Sequence, residues 1–125
     1  MIRLLIADDH AIVRQGLRQI VSGTEGLLVQ GGAEGGLQVL QLLRRQPGGF
    51  DIVLLDISMP DKNGLEILKR VTQEFPGIAV IMLTMHAEDE LGVLALKGGA
   101  AGYLSKQTAP AELVNAIRQV AAGRK

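Results

Sequence analysis

Five times along the chain, a short apolar run is followed by a longer segment of helical period. The runs are Ile2–Ala7, Leu27–Val29, Ile52–Leu55, Ile78–Leu83 and Ala100–Leu104. This alternation predicts an α/β fold around a parallel sheet. The stretch Leu4-Leu5-Ile6-Ala7 is continuously apolar, as expected of a strand buried on both faces. Between the runs, helical stripes carry Val13, Leu17, Ile20 and Val21, then Leu37, Leu40 and Leu43, then Leu65, Leu68 and Val71. A thinner helix runs from Glu88 to Lys97, interrupted by Gly92, and a last one places Leu113, Val114, Ile117 and Val120 inward. Asp9 is placed to cap the first helix. Pro47-Gly48-Gly49 and Gly98-Gly99 end two others, Pro60–Gly64 is a loop, and Gly123 is a C-cap. Gly31-Gly32 and Gly35-Gly36 read as turn glycines.

Four of the runs lead directly into polar groups: Asp8-Asp9, Asp56, Thr84 and Lys106. In an open parallel sheet these meet at the carboxyl edge, where ligands bind. Adjacent carboxylates repel by roughly 1 kcal/mol in water at ~4 Å, and several-fold more in a partly buried cleft. A divalent cation relieves that repulsion, and Mg²⁺ accepts one or two carboxylates with water and phosphate oxygens. Taken alone, the pair serves equally well as a helix cap beside a solvated neighbour. Asp56 ends the run Val53-Leu54-Leu55, where a lone carboxylate is poorly solvated; held by a metal, it is a candidate nucleophile toward phosphorus. Thr84 and Lys106 carry no signal singly. Together with the three carboxylates they supply a hydroxyl and an ammonium for phosphoryl oxygens. His10 reads as a local hydrogen-bonding or packing residue, His86 as solvated, Met59, Met82 and Met85 as fillers, and Tyr103 as a half-buried edge aromatic.

Composition narrows the class. A chain of 125 residues with 47% hydrophobic content is one domain with a real core. With 13 basic and 13 acidic residues it lacks the excess charge of a nucleic-acid module. Having no cysteine, it has no thiolate site. No apolar stretch is long enough for a bilayer and no secretory leader opens the chain, so a cytoplasmic protein is expected. A dinucleotide fold would place a glycine-rich turn after the first strand, where this chain has Asp8-Asp9.

The segments Leu4–His10, Val53–Pro60, Met82-Leu83-Thr84 and Gly102–Lys106, in this order, resemble the receiver domain of bacterial two-component response regulators, over essentially the whole chain. Asp8-Asp9-His10 with Arg14 and Gly16-Leu17, and the run Gly99–Leu104, are similar to the NarL/FixJ (LuxR-type) subfamily. Gln107 follows the lysine where many receivers have proline. The resemblance implies a (βα)5 doubly wound, flavodoxin-like (CheY-like) three-layer fold with strand order 2-1-3-4-5. It implies Asp56 as phosphoacceptor and a histidine kinase as donor. Mg²⁺ would be held by Asp9, Asp56 and the Ser58 carbonyl, with Asp8 acting through water. Thr84 and Lys106 would bind phosphoryl oxygens. Movement of Thr84 would let Tyr103 turn inward and reshape the surface of the fourth helix, fifth strand and fifth helix. Residues 1–125 would be the receiver, with a C-terminal helix-turn-helix DNA-binding domain in the intact protein and a phosphorylation-promoted homodimer.

Two other classes compete. A phosphatase of the haloacid dehalogenase type also phosphorylates a strand-end Asp, but needs a second Asp two residues on, where this chain has Ser58. An interaction module that is never phosphorylated typically loses one of the acidic pair, the acceptor or the lysine, and this chain keeps them all. The expectation is therefore a signalling switch that assists its own phosphorylation and dephosphorylation rather than an enzyme acting on external substrates.

Overall fold

The structure, a computed structural model, describes residues 1–57, 64–84, 90–108 and 110–123; for 90–93 only the backbone is described. Five strands alternate with five helices: β1 (Ile2–Ala7), α1 (Ala11–Ser22), β2 (Leu27–Ala33), α2 (Gly36–Arg45), β3 (Ile52–Asp56), α3 (Gly64–Glu74), β4 (Ala79–Thr84), α4 (Glu90–Lys97), β5 (Gly102–Ser105) and α5 (Pro110–Ala121). The strands form one parallel sheet in the order β2-β1-β3-β4-β5. The chain order reverses beside β1, which opens a crevice between the carboxyl ends of β1 and β3.

Strand side chains alternate between two cores. Leu5, Ala7, Val53, Leu55, Val80 and Met82 face α2, α3 and α4, against Val39, Leu40, Leu43, Ile67, Leu68, Val71 and Ala95. Leu4, Ile6, Ile52, Leu54, Ile81 and Leu83 face α1 and α5, against Val21, Leu113 and Ile117. Burying β1, β3 and β4 on both faces makes their runs apolar without a break. β5, at the edge, is half-buried throughout. Among the described residues, no helix is long and apolar enough to cross a membrane.

Three expectations change. Gly31 and Gly32 are not turn residues: β2 continues through them to Ala33. A register shift between Leu4 and Leu5 leaves Gln30 unpaired opposite β1. Gly31 allows a close approach to the core, whereas the neighbour at Gly32 is the movable tip of a long side chain. A Cβ on Gly31 would meet the Phe50 ring at 3.3 Å, and one on Gly32 the Arg18 guanidinium at 2.7 Å. Asp9 does not cap α1; His10 holds the N-cap position and its side chain makes no capping bond. In α2 it is Val39, rather than Leu37, that joins Leu40 and Leu43 in the core, and Leu37 is exposed.

In the described second half of α4, Ala95 is buried while Leu94 and Leu96 are 51% and 45% exposed. Gly99 sits at φ +106 just past its end, a conformation that favours glycine.

Candidate functional site

The sheet's hydrogen-bond ladder runs one residue past β1, β3 and β5 and thereby fixes the site. Asp8 N–H donates to the Ala33 carbonyl at 3.0 Å, and Ile57 N–H, just after Asp56, to Leu83 O at 3.0 Å. Lys106 N–H donates to the Thr84 carbonyl at 2.7 Å. The residue types that the sequence leaves at the strand ends are thus held by main-chain bonds to neighbouring strands.

The side chains converge. Lys106 Nζ lies 2.9 Å from Asp8 Oδ2 and 3.1 Å from Asp56 Oδ2. Asp8 is 0% exposed, Asp56 1% and Thr84 2%. Asp8 Oδ2 has no aligned hydrogen bond, so its hold on Lys106 is charge on charge. Burial pulls the Lys106 ammonium toward lower pKa, but the attraction of Asp8 and Asp56 outweighs it and holds the group above the ordinary lysine value. Asp9 completes the acidic group. Ligand atoms of Asp8, Asp9, His10 and Asp56 all lie within 4.8 Å of one another, the one such group among the described residues. Three carboxylates against one ammonium leave a formal excess of about two negative charges in a crevice. Their hard oxygen donors suit an oxygen-loving dication such as Mg²⁺.

Thr84 ends β4 and pairs with Ser105 on β5, bringing it to the same edge. Tyr103 does not join the cluster; it pairs with Met82 and packs, partly buried, on the α2–α4 side of the sheet. Ser58 lies outside the described residues, as do Met59, Met85 and His86.

Three supporting residues escaped the sequence reading. Arg14 Nη1 donates to the Asp8 main-chain carbonyl, and its Nη2 lies 3.5 Å from Glu34. Gly64 opens α3 against the end of β3: a Cβ there would sit 2.6 Å from Ile57 Cα and 2.7 Å from the Asp56 carbonyl oxygen. Ser105 closes the loop after Lys106, its Oγ accepting from Gln107 N–H at 3.1 Å and its carbonyl from Thr108 N–H at 3.0 Å. A hydroxyl-closed turn therefore orders the segment where Gln107 stands in place of proline. Only Arg14 had a signal, in its spacing from Asp8 on the first turn of α1.

A doubly wound parallel sheet with carboxylates and a lysine gathered at its switch point defines the class as a CheY-like α/β domain. Comparison with known families matches residues 4–118 to the response regulator receiver domain, and the chain belongs to that family. It is 41% identical over 125 residues to the response regulator UvrY of Escherichia coli K12, covering all of this chain and 56% of that one. Among solved structures it resembles a LuxR-family two-component response regulator from Aurantimonas sp. SI85-9A1, with TM-score 0.90 and 33% identity over 98% of this chain and 86% of that one. The receiver domain of a NarL response regulator from Mycobacterium tuberculosis gives TM-score 0.90 and 31% identity, over 98% of each chain. The NarL/LuxR-type resemblance is borne out. The chain spans 56–58% of the UvrY and GacA regulators it matches.

Proposed function

We propose that this domain is a phosphorylation-driven switch in which Asp56 is the phosphoacceptor. The observation that carries the reading is the convergence of Asp8, Asp9, Asp56 and Lys106 at one sheet edge. An Asp56 carboxylate oxygen forms a bond to the phosphorus of a histidine kinase's phosphohistidine. The phosphorus–nitrogen bond breaks and the electron pair leaves with the donor imidazole. Lys106 draws the phosphoryl oxygens in, exchanging its carboxylate partners for them, and the Thr84 hydroxyl takes another. Asp9, Asp56 and the Ser58 carbonyl would hold Mg²⁺, with Asp8 acting through water. When bound, that ion supplies charge neutralisation and a template for the incoming oxygens.

Thr84 moving toward the phosphoryl group frees space for Tyr103 to turn inward. The α4–β5–α5 surface responds, a reading supported by the exposure of Leu94 and Leu96 on it. Residues 1–125 act as the receiver of a transcription regulator whose DNA-binding helix-turn-helix domain comes after them, a reading supported by the greater length of the curated relatives. The partners are a sensor kinase, that effector domain and a second phosphorylated copy. The domain works in the cytoplasm, binds no nucleic acid itself and turns over no external substrate.

Incubation with Mg²⁺ and acetyl phosphate, followed by intact-mass measurement, tests this. A phosphoryl adduct that requires Mg²⁺ and vanishes in Asp56→Asn is expected. An adduct that survives the substitution, or no binding of beryllofluoride as a stable phosphoryl mimic, overturns it.

A further inference from the structure

We infer that His10 adds a nitrogen ligand when a first-row transition dication such as Ni²⁺ occupies this edge, raising the centre's affinity for that ion while contributing nothing to its affinity for Mg²⁺. The inference rests on the metal-binding reading above and deepens it.

The position of His10 is the first observation. Its Nδ1 lies 3.0 Å from Asp9 Oδ1 and 3.2 Å from Asp8 Oδ1. Two donors on one octahedral ion at about 2.1 Å stand about 3.0 Å apart when cis and about 4.2 Å apart when trans. The two His10 separations are those of cis donors, and all four donor atoms lie within 4.8 Å of one another, a little beyond the trans limit, so a modest contraction brings them onto one ion.

What His10 does not do is the second observation. It occupies the N-cap of α1, with extended backbone at φ −99 and ψ 115. Ser, Thr, Asp or Asn there would accept from a free helical N–H and stabilise the helix by about 1 kcal/mol. The His10 ring makes no such bond, and with 66% of its side chain exposed it fills no core. Instead its own N–H is anchored on Asp8 Oδ1 at 2.8 Å, and the ring turns back over the carboxylates. A capping position has been given to a side chain that faces the acidic crevice.

Donor chemistry does the rest. Mg²⁺ has little use for imidazole, whereas Ni²⁺, Zn²⁺ and, less strongly, Mn²⁺ bind it well. An imidazole added to carboxylates raises affinity for those ions selectively.

Calorimetric titration of Ni²⁺ and of Mg²⁺ into the wild-type domain, His10→Ala, His10→Gln, His86→Ala and Asp56→Asn tests this. In both His10 variants Ni²⁺ binding is expected to weaken about tenfold or more, with Mg²⁺ binding unchanged within about twofold; His86→Ala should alter neither. Pulsed EPR of the Mn²⁺-loaded wild type should show an imidazole ¹⁴N coupling that is absent in His10→Ala and present in His86→Ala. Equal Ni²⁺ affinity in wild type and His10→Ala, a parallel fall in Mg²⁺ affinity, or no ¹⁴N coupling overturns the inference while leaving the carboxylate centre standing. Failure of the wild type to bind either ion, or binding that survives Asp56→Asn, overturns the metal-binding reading and this inference with it.

Discussion

The two ends of the same sheet solve opposite electrostatic problems. At the amino edge, Arg3 and Asp51 pair one to one. Arg3 N–H and Nε donate to Asp51 Oδ2 at 2.8 and 3.1 Å, and Nη2 to Oδ1 at 3.2 Å. Both side chains are more than a third exposed, and the charges balance. The guanidinium holds the Asp51 carboxyl below the usual carboxylate range. At the carboxyl edge, two buried carboxylates, Asp8 and Asp56, share one ammonium, and Asp9 stands beside them against His10. The first arrangement is complete as it stands and holds strands together. The second leaves charge uncompensated in a crevice, a cost that a fold keeps where a ligand supplies the balance.

The largest effect should come from removing the ammonium that contacts both buried carboxylates of the acidic edge. Lys106→Met is expected to cost about 3 kcal/mol, because it removes the ammonium shared by two buried carboxylates, and urea unfolding without added metal measures it. A loss no greater than that of Asp51→Asn would erase the distinction between the two edges. Next, Mg²⁺ at a hundredfold excess over its Kd should stabilise the wild type by about 2.7 kcal/mol and do nothing for Asp56→Asn. The same addition should leave the destabilisation caused by Asp51→Asn unaltered, as a double-mutant comparison in thermal melts would show.

Gly64→Ala should cost about 2 kcal/mol, since the new methyl presses on the backbone at Ile57 and Asp56. Labelling by acetyl phosphate should slow in step, because the Asp56 main chain must move. The smallest effect belongs to the amino edge and has a definite pH signature. A carboxyl whose folded pKa is depressed adds stability that is present above the unfolded value of about 3.9 and is lost as pH falls through the folded one. Asp51→Asn should therefore reduce stability slightly at neutral pH and converge with the wild type at strongly acid pH, measured by unfolding at a series of pH values.

The carboxyl edge was largely legible in the chain alone. Asp8, Asp56, Thr84 and Lys106 each come after an apolar run, and in a parallel sheet every strand end of one polarity lies on one side. The parts that were not legible depend on close contacts between segments far apart in the chain. Gly31 and Gly32 look like turn residues because glycine marks turns more often than strands. The Phe50 ring, packed against the place where a Cβ would stand, accounts for Gly31, while Gly32 faces only the movable Arg18 guanidinium. Gly64 reads as the end of a loop until α3 is seen pressed on Asp56. Asp9 reads as the helix cap by residue type, yet the N-cap falls one residue later, at His10, whose backbone is still extended, and the helix begins at Ala11.

By itself the sequence determined the layer architecture, through strand and helix periods, and the chemical inventory of the site, through the polar residues placed at the ends of the apolar runs. These are local properties of the chain. The strand order was carried by family resemblance, because periodicity ranks no strand beside another. What the tertiary structure alone decided is who touches whom. Lys106 stands between Asp8 and Asp56, Arg14 grips the Asp8 carbonyl, and His10 turns to the carboxylates instead of to its helix. Those contacts arise from sheet register and helix packing, which fix side-chain positions to fractions of an ångström that no spacing along the chain encodes.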